Sequence, residues 1–301
     1  MTSWTEFSKE TEKVGLVGCG RMGKCMLQRM LDKGYKVVTY DKFPVAAESA
    51  AAMGAETAAT PKELAEKTSV VLMSLPGPVQ LEEVIFGEAG LNGGLTEKHI
   101  VIDTSTVDPQ TTRGIAERIK SAYLDCPILG RPSATGKWML PTGGDPAALE
   151  RAKPILLTFA ANAIPVGGSG AGNALKLLNQ MMFSCINAIS SEVMAICDHV
   201  GIDKDVFYST VAGSSAATVS GLFREVGKNI VADDYDHPAF TVDLLIKDAK
   251  LALQMAKDSD APSVIAGTVQ MYNEIAHSQG LGNQDTSALY KVFSQHYDKL
   301  D

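Results

Sequence analysis

VGLVGCGRMG, residues 14–23, decides how the rest of the chain is read. Its first half is a short buried strand. Gly18, Gly20 and Gly23 follow at the spacing G-x-G-x-x-G, and residues 22–33 then have the pattern of a helix that Gly34 closes. Each glycine has a mechanical task. Gly18 makes the tight turn, Gly20 lets a pyrophosphate approach the backbone, and Gly23 lets the helix lie close to the sheet, while free N–H groups at the helix start hold the anion. A second strand, YKVVTY at 35–40, ends at Asp41, 18 residues beyond Gly23. A carboxylate there accepts hydrogen bonds from the adenosine ribose and repels a 2′-phosphate, so NAD is favoured over NADP. Lys42 next door softens that preference, and NADP stays possible. An acidic turn residue is the plainer reading of Asp41 alone; strand, glycines, helix, strand and acid in register argue for a dinucleotide site.

Working outward, the alternation continues through SVVLMSL (69–75), HIVID (99–103), AYLDC (122–126), KWMLPTGG (137–144) and NAIPVGG (162–168), with helical stretches between them. This pattern predicts an α/β fold with a doubly wound, mostly parallel sheet of Rossmann type, covered on both faces. After Gly168 the character changes. Helices are expected at roughly 171–199, 203–213, 215–228, 240–258, 262–279 and 285–298, so residues 12–168 are read as a dinucleotide-binding domain and 169–301 as an all-α substrate and oligomerisation domain built on one long central helix. Two domains suit a chain of 301 residues, because single cores stop growing near roughly 250–300 residues.

The net charge of −8 argues against nucleic acid and anionic membrane as partners. Five scattered cysteines, an odd number, read as core residues of a reducing compartment, with no zinc spacing among them. The N-terminus has no signal-like apolar stretch, and no run approaches the roughly 18 apolar residues of a membrane span. A cytoplasmic protein with a small-molecule substrate is the expectation.

The long helix poses a problem. Leu175, Leu178, Met182, Ile186, Ile189, Val193 and Ile196 make it apolar on several sides, which predicts a place at the centre of an interdomain or intersubunit core. Yet it carries Lys176, Asn179 and Gln180 on one face, with Asn187 about three turns along the same side. Burying an ammonium and amides without partners costs several kcal/mol by order of magnitude, so the cluster must meet something polar. A ligand is one candidate and an interhelical salt bridge is another. Glycines 167, 168, 170 and 172 would let a backbone or a bound molecule come near. At the end of the fourth expected strand, DTSTVDP (103–109) offers the hydroxyls of Ser105 and Thr106, either to a ligand or as a cap for a helix over 109–120.

Several motifs now combine: VGCGRMG, LPG at 75–77, DTST at 103–106, Asp125 to Pro127, G-x-G-x-x-x-K-x-x-N from Gly170 to Asn179, and F-x-x-x-L-L-x-K-D from Phe240 to Asp248. With them the chain resembles the β-hydroxyacid dehydrogenases, which include 3-hydroxyisobutyrate dehydrogenase and the tartronate and succinic semialdehyde reductases. The resemblance runs from residue 14 to about 295. It implies a hydride transfer between a nicotinamide cofactor and a small β-hydroxyacid or its semialdehyde, with Lys176 as general acid/base. It further implies cofactor contacts from Gly18, Gly20, Arg21, Met22, Gly23, Asp41, Leu75, Pro76, Thr106, Phe240 and Lys247. Substrate contacts are implied for Ser105, Gly130, Asn179, Gln180 and Lys247.

Two positions depart from the family pattern and bear on the substrate. The family's D-A-P-V-S-G-G loop is DCPILGRP here: Gly130 survives, Leu129 replaces the serine, and Arg131 replaces the last glycine. Arg131 could clamp an acidic group bidentately or face solvent. Gln180 stands where the family has a second asparagine, which deepens the pocket by one methylene. An NADPH-dependent imine reductase on the same scaffold is the main alternative, although such enzymes often lack the lysine. A non-catalytic nucleotide binder and a methyltransferase fit less well. Apolar residues of the C-terminal helices, Leu244, Leu245, Leu251, Leu253, Met255, Val264, Ile265 and Val269, suggest a homodimer or homotetramer.

Overall fold

The computed structural model describes residue 4 and residues 6–294. The chain falls into two compact units that divide between Lys176 and Leu177. The first holds β1 (Val14–Val17), α1 (Arg21–Asp32), β2 (Val37–Tyr40), α2 (Pro44–Ala52), β3 (Glu56–Thr57), α3 (Pro61–Lys67) and β4 (Val70–Met73). It continues with α4 (Pro78–Phe86), β5 (Ile100–Asp103), α5 (Pro109–Arg118), β6 (Ala122–Asp125), β7 (Trp138–Gly143), α6 (Pro146–Leu156) and β8 (Ala160–Gly167). The strands form one sheet in the order β3-β2-β1-β4-β5-β6-β7-β8. Among the described residues, the β6–β7 pair is the one antiparallel strand pair of the sheet. This is the doubly wound, mostly parallel sheet that the alternation predicts.

The central strands are buried on both faces because successive residues feed two cores. Val14 and Leu16 of β1, Val70 and Leu72 of β4, and Ile100 and Ile102 of β5 face one side, where Met26, Leu27, Met30, Trp138 and Phe159 pack. Val17, Val71, Met73 and Val101 face the other, with Leu64, Leu81, Ile85 and Ile115. Apolar residues at both parities are what a sheet needs when helices cover both sides. Five helices of this unit, α2 to α6, open on proline at the first turn, a position whose N–H would have no helical partner in any case. Thr60, Asp108 and Asp145 cap three of them through their side chains. Asp108 therefore caps α5, a role the sequence left open to Ser105 or Thr106.

Strand β3 is absent from the sequence reading, since two exposed polar residues, Glu56 and Thr57, give no apolar signal.

The second unit is helical. Helix α7 (Ala171–His199) leads from the first unit into it, followed by α8 (Lys204–Ala212), α9 (Gly221–Val231), α10 (Val242–Asp258), α11 (Val264–Ser278) and α12 (Leu289–Ser294). Helix α9 starts later than the expected 215 because Ser220 caps it, its Oγ accepting the Phe223 N–H at 2.9 Å. Thr241 likewise starts α10 two residues inside the expected range. The expected last helix breaks into a 3-10 turn at Thr286–Ala288 and α12, and its residues 295–298 lie outside the described residues. Met194, Val226, Ile230, Val242, Ile246 and Phe293 form the core of this unit.

Helix α7 also corrects the membrane reading. By length and composition alone its residues 171–197 could cross a membrane, because charged residues are few and apolar ones outweigh the Asn and Gln among them. Half of its most apolar 18-residue window is buried within the fold, and Ala188, Met194 and Ala195 belong to the core just described.

Candidate active site

The glycine turn after β1 behaves as its spacing demands. Gly18 adopts φ +91°, and a side chain there would collide with the Ser74 carbonyl. A side chain at Gly23 would run into the Gly18 carbonyl, so α1 lies tight against the turn. Among the described residues, no atom beyond its own chain neighbours lies within 4 Å of where a Gly20 side chain would begin, so the backbone is open there to an incoming group. Gly20 is also the N-cap of α1 and Arg21 and Met22 are its first residues; Arg21 is exposed, while Met22 leans on the sheet core. Asp41, at the end of β2, is tied to the same turn: its carboxylate accepts the Cys19 N–H at 2.7 Å and the Phe43 N–H at 2.9 Å.

Gly18, Gly20, Asp41, Leu75 and Pro76, all expected at the cofactor, line one cavity of about 550 Å³ together with Lys42, Phe43 and Glu83. The open glycine, the helix start and the carboxylate fit the phosphates and ribose of a dinucleotide. Glu83 had no signal in the sequence, because only the fold brings α4 beside Lys42.

At the adjoining strand ends the polar groups hold one another. Ser105 is buried; its Oγ accepts the Leu75 N–H at 2.9 Å, and its own N–H donates to Asp103 Oδ1. The serine thus pins the LPG loop to the end of β5. Asp103 also receives the Tyr123 hydroxyl at 2.9 Å, and burial pushes its carboxyl up to about 6. Its register partner on β6 is Asp125, which burial also raises although backbone N–H groups oppose the shift. Those N–H groups belong to the start of α7: Gly170 and Asn173 each donate to the Asp125 carboxylate at 2.8 Å. The Asn173 side chain accepts from the Val107 N–H and donates to Thr112. The glycines before α7 serve this joint. A side chain at Gly172 would meet the Asp125 and Pro141 carbonyls, and one at Gly143 would meet the Asp125 carboxylate. The close approach the sequence predicts is that of another backbone.

One turn past this anchor, Lys176 is half-buried and its Nζ donates to the Ile128 carbonyl at 2.9 Å. One short loop, residues 125–128, therefore holds both the start of α7 and the amine of its lysine. Beyond it, Leu129 pairs with Met139 through two backbone hydrogen bonds. Gly130 lies where the Trp138 ring packs, so that any side chain would strike the indole. Trp138 Nε1 donates to the Arg131 carbonyl at 2.7 Å, and Arg131 is half-buried. Gly130 is thus explained by packing.

In the helical unit, the residues expected at the substrate form a relay. Asn179 is exposed and donates to Gln180 Oε1 at 3.3 Å; Gln180, buried, donates to Asp248 Oδ2 at 2.7 Å. Lys247 pairs with the other oxygen of Asp248 at 2.9 Å. The extra methylene that distinguishes glutamine from asparagine is used to reach Asp248. Asn187, further along α7, donates to the Thr286 carbonyl, and Phe240 sits edge-on to Phe183 with ring centres 5.6 Å apart. The polar face of a greasy helix is in large part satisfied by the protein itself.

A family model described as the NAD binding domain of 6-phosphogluconate dehydrogenase matches residues 13–168. A second, described as the NAD-binding domain of NADP-dependent 3-hydroxyisobutyrate dehydrogenase, matches residues 170–293. The chain is 33% identical to 3-sulfolactaldehyde reductase of Escherichia coli over 92% of its length and 94% of the relative's. It is 28% identical to L-threonate dehydrogenase of Cupriavidus necator, covering 94% of this chain and 96% of that one. The crystal structure of a 3-hydroxyisobutyrate dehydrogenase from Salmonella typhimurium superposes with a TM-score of 0.84 at 29% identity, covering 94% of this chain and all of the other. The chain belongs to the β-hydroxyacid dehydrogenase family. It is an NAD(P)-dependent oxidoreductase that acts on CH–OH groups.

Proposed function

We propose that the chain interconverts a small β-hydroxyacid and its semialdehyde with NAD as the preferred cofactor and Lys176 as the general acid/base. One observation carries this reading: the Lys176 amine rests on a backbone carbonyl at the foot of a helix that Asp125 fastens to the strand ends. When bound, the nicotinamide takes or gives the hydride. The protein must handle the proton. In oxidation the alcohol O–H proton passes to Lys176 Nζ as the carbonyl forms; in reduction the ammonium returns a proton to the oxygen. Such transfer contributes roughly 10²–10⁴ in rate. The Ile128 carbonyl is a neutral acceptor that the amine can exchange for the substrate oxygen.

The relatives named for sulfolactaldehyde and threonate both act on small acids, and they favour the alcohol–carbonyl reaction over the imine alternative. A carboxylate or sulfonate close to the reacting carbon is the expected substrate class. The cofactor-side contacts proposed from the family pattern are Gly18, Gly20, Arg21, Met22, Gly23, Asp41, Leu75, Pro76, Thr106 and Phe240. A panel of 3-hydroxyisobutyrate, threonate, sulfolactaldehyde, tartronate semialdehyde and a cyclic imine, each assayed with both nicotinamide cofactors, tests the proposal. Turnover on a hydroxyacid or semialdehyde supports it, and turnover confined to the imine contradicts it.

We further infer self-association. Leu178, Met182, Ile189 and Ile196 of α7 form an exposed apolar stripe at helical spacing, and Leu244, Val264 and Ile265 are exposed on α10 and α11. Of the residues named from the sequence for this role, Leu245 lies in the core instead.

A further inference from the structure

The cavity that begins at the glycine turn carries a charge arrangement which Gly18, Gly20, Gly23 and Asp41 do not account for. Asp41, Lys42, Glu83 and Glu88 all line it. Asp41 is already tied to the backbone by two N–H groups. Lys42, next in sequence and beside the place where a ribose 2′ position would sit, turns its ammonium to Glu83: Nζ lies 2.9 Å from Oε1 and 3.3 Å from Oε2. The hydrogen bond to Glu83, then its charge, raises the Lys42 ammonium above its ordinary value. Both side chains are more than half exposed, so the pair matters little to folding. Its weight lies in the field it leaves at the cavity. With three carboxylates against one ammonium, the lining is net negative, and the lysine's donors are directed at an acid.

A 2′-hydroxyl brings no charge to this edge and needs only an acceptor, which Asp41 supplies. A 2′-phosphate brings nearly two negative charges and needs a cation with donors to spare. We propose that Glu83 is a cofactor-specificity residue: by holding Lys42 it withdraws the cation beside Asp41 from a 2′-phosphate, and so disfavours NADP. The inference rests on reading this cavity as the adenosine end of the cofactor site. It makes Asp41 only half of the discrimination, since Lys42 by itself would serve a 2′-phosphate.

Calorimetric titration with AMP and with adenosine 2′,5′-bisphosphate isolates the 2′ position without requiring turnover. Low ionic strength keeps the exposed charges unscreened. The wild type should prefer AMP. In Glu83→Gln the affinity ratio should move toward the bisphosphate by roughly tenfold, and adding Lys42→Met should return it to the wild-type value. The NADP/NAD ratio of kcat/KM should follow the same order. An unchanged ratio in Glu83→Gln, or a gain that survives removal of Lys42, overturns the proposal. A wild type that prefers the bisphosphate would instead overturn the NAD preference read from Asp41, while the direction of the Glu83→Gln shift would still decide the role of Glu83. Failure of both nucleotides to bind overturns both readings.

Discussion

At the scale of single residues, side chains of one helix have separate tasks. Lys176 is held by a carbonyl; Gln180 is held by Asp248, which also holds Lys247. Gln180→Asn shortens the side chain by one methylene and takes its amide out of reach of Asp248. A buried hydrogen bond to a charged group is worth about 1.5–3 kcal/mol. The variant should therefore unfold at lower denaturant concentration by about that free energy, and its substrate KM should rise as Lys247 settles more closely on Asp248. Unchanged stability would mean that the Gln180–Asp248 contact carries no weight. Much of this scale was legible beforehand. Gly18 makes the tight turn and Gly23 the close helix packing that their spacing implies, because the constraint is local. The partners of Gln180 and Ser105 were not legible, since Asp248 lies 68 residues away and Leu75 lies 30 residues away. The glycines before α7 could be read as making room, but not as making room for the backbone of β6 and β7.

At the scale of elements, the ends of β5 and β6 carry a buried acid pair, Asp103 and Asp125, that anchors two loops and the start of α7. Burial places the Asp103 carboxyl near 6 in the folded protein against 3.8 in the unfolded chain. A raised folded value means that the unfolded state releases the proton more easily. This group therefore costs stability above pH 6, and the cost disappears as pH falls toward 4. Its size is on the order of 3 kcal/mol from the linkage relation. Between pH 7.5 and 5.5 the wild type should gain stability relative to Asp103→Asn, measured as the difference in their denaturation midpoints. A difference that does not vary with pH would mean that Asp103 ionises normally when buried. Element boundaries followed the chemistry of their first turns. Five helices begin at prolines visible in the sequence, whereas α9 begins at Ser220 because a single hydroxyl outweighs the apolar residues before it. Strand β3 has no apolar pattern to read.

At the scale of the whole molecule, fold class follows from alternation alone, since apolar residues at both parities of β1, β4 and β5 require helices on both faces. Substrate identity does not follow, because it depends on a few side chains rather than on the alternation of strands and helices. The exposed stripe on α7 predicts that Ile189→Asp shifts the protein toward monomer in sedimentation equilibrium; an unchanged mass would show that the stripe is not an interface. Turnover depends on the amine of Lys176 on that helix. Single-turnover hydride transfer in Lys176→Ala, followed at the absorbance of reduced nicotinamide, tests it most directly. With the nicotinamide affinity retained, the rate should fall by about 10²–10⁴. Transfer at the wild-type rate in that variant would show that Lys176 is not the acid/base.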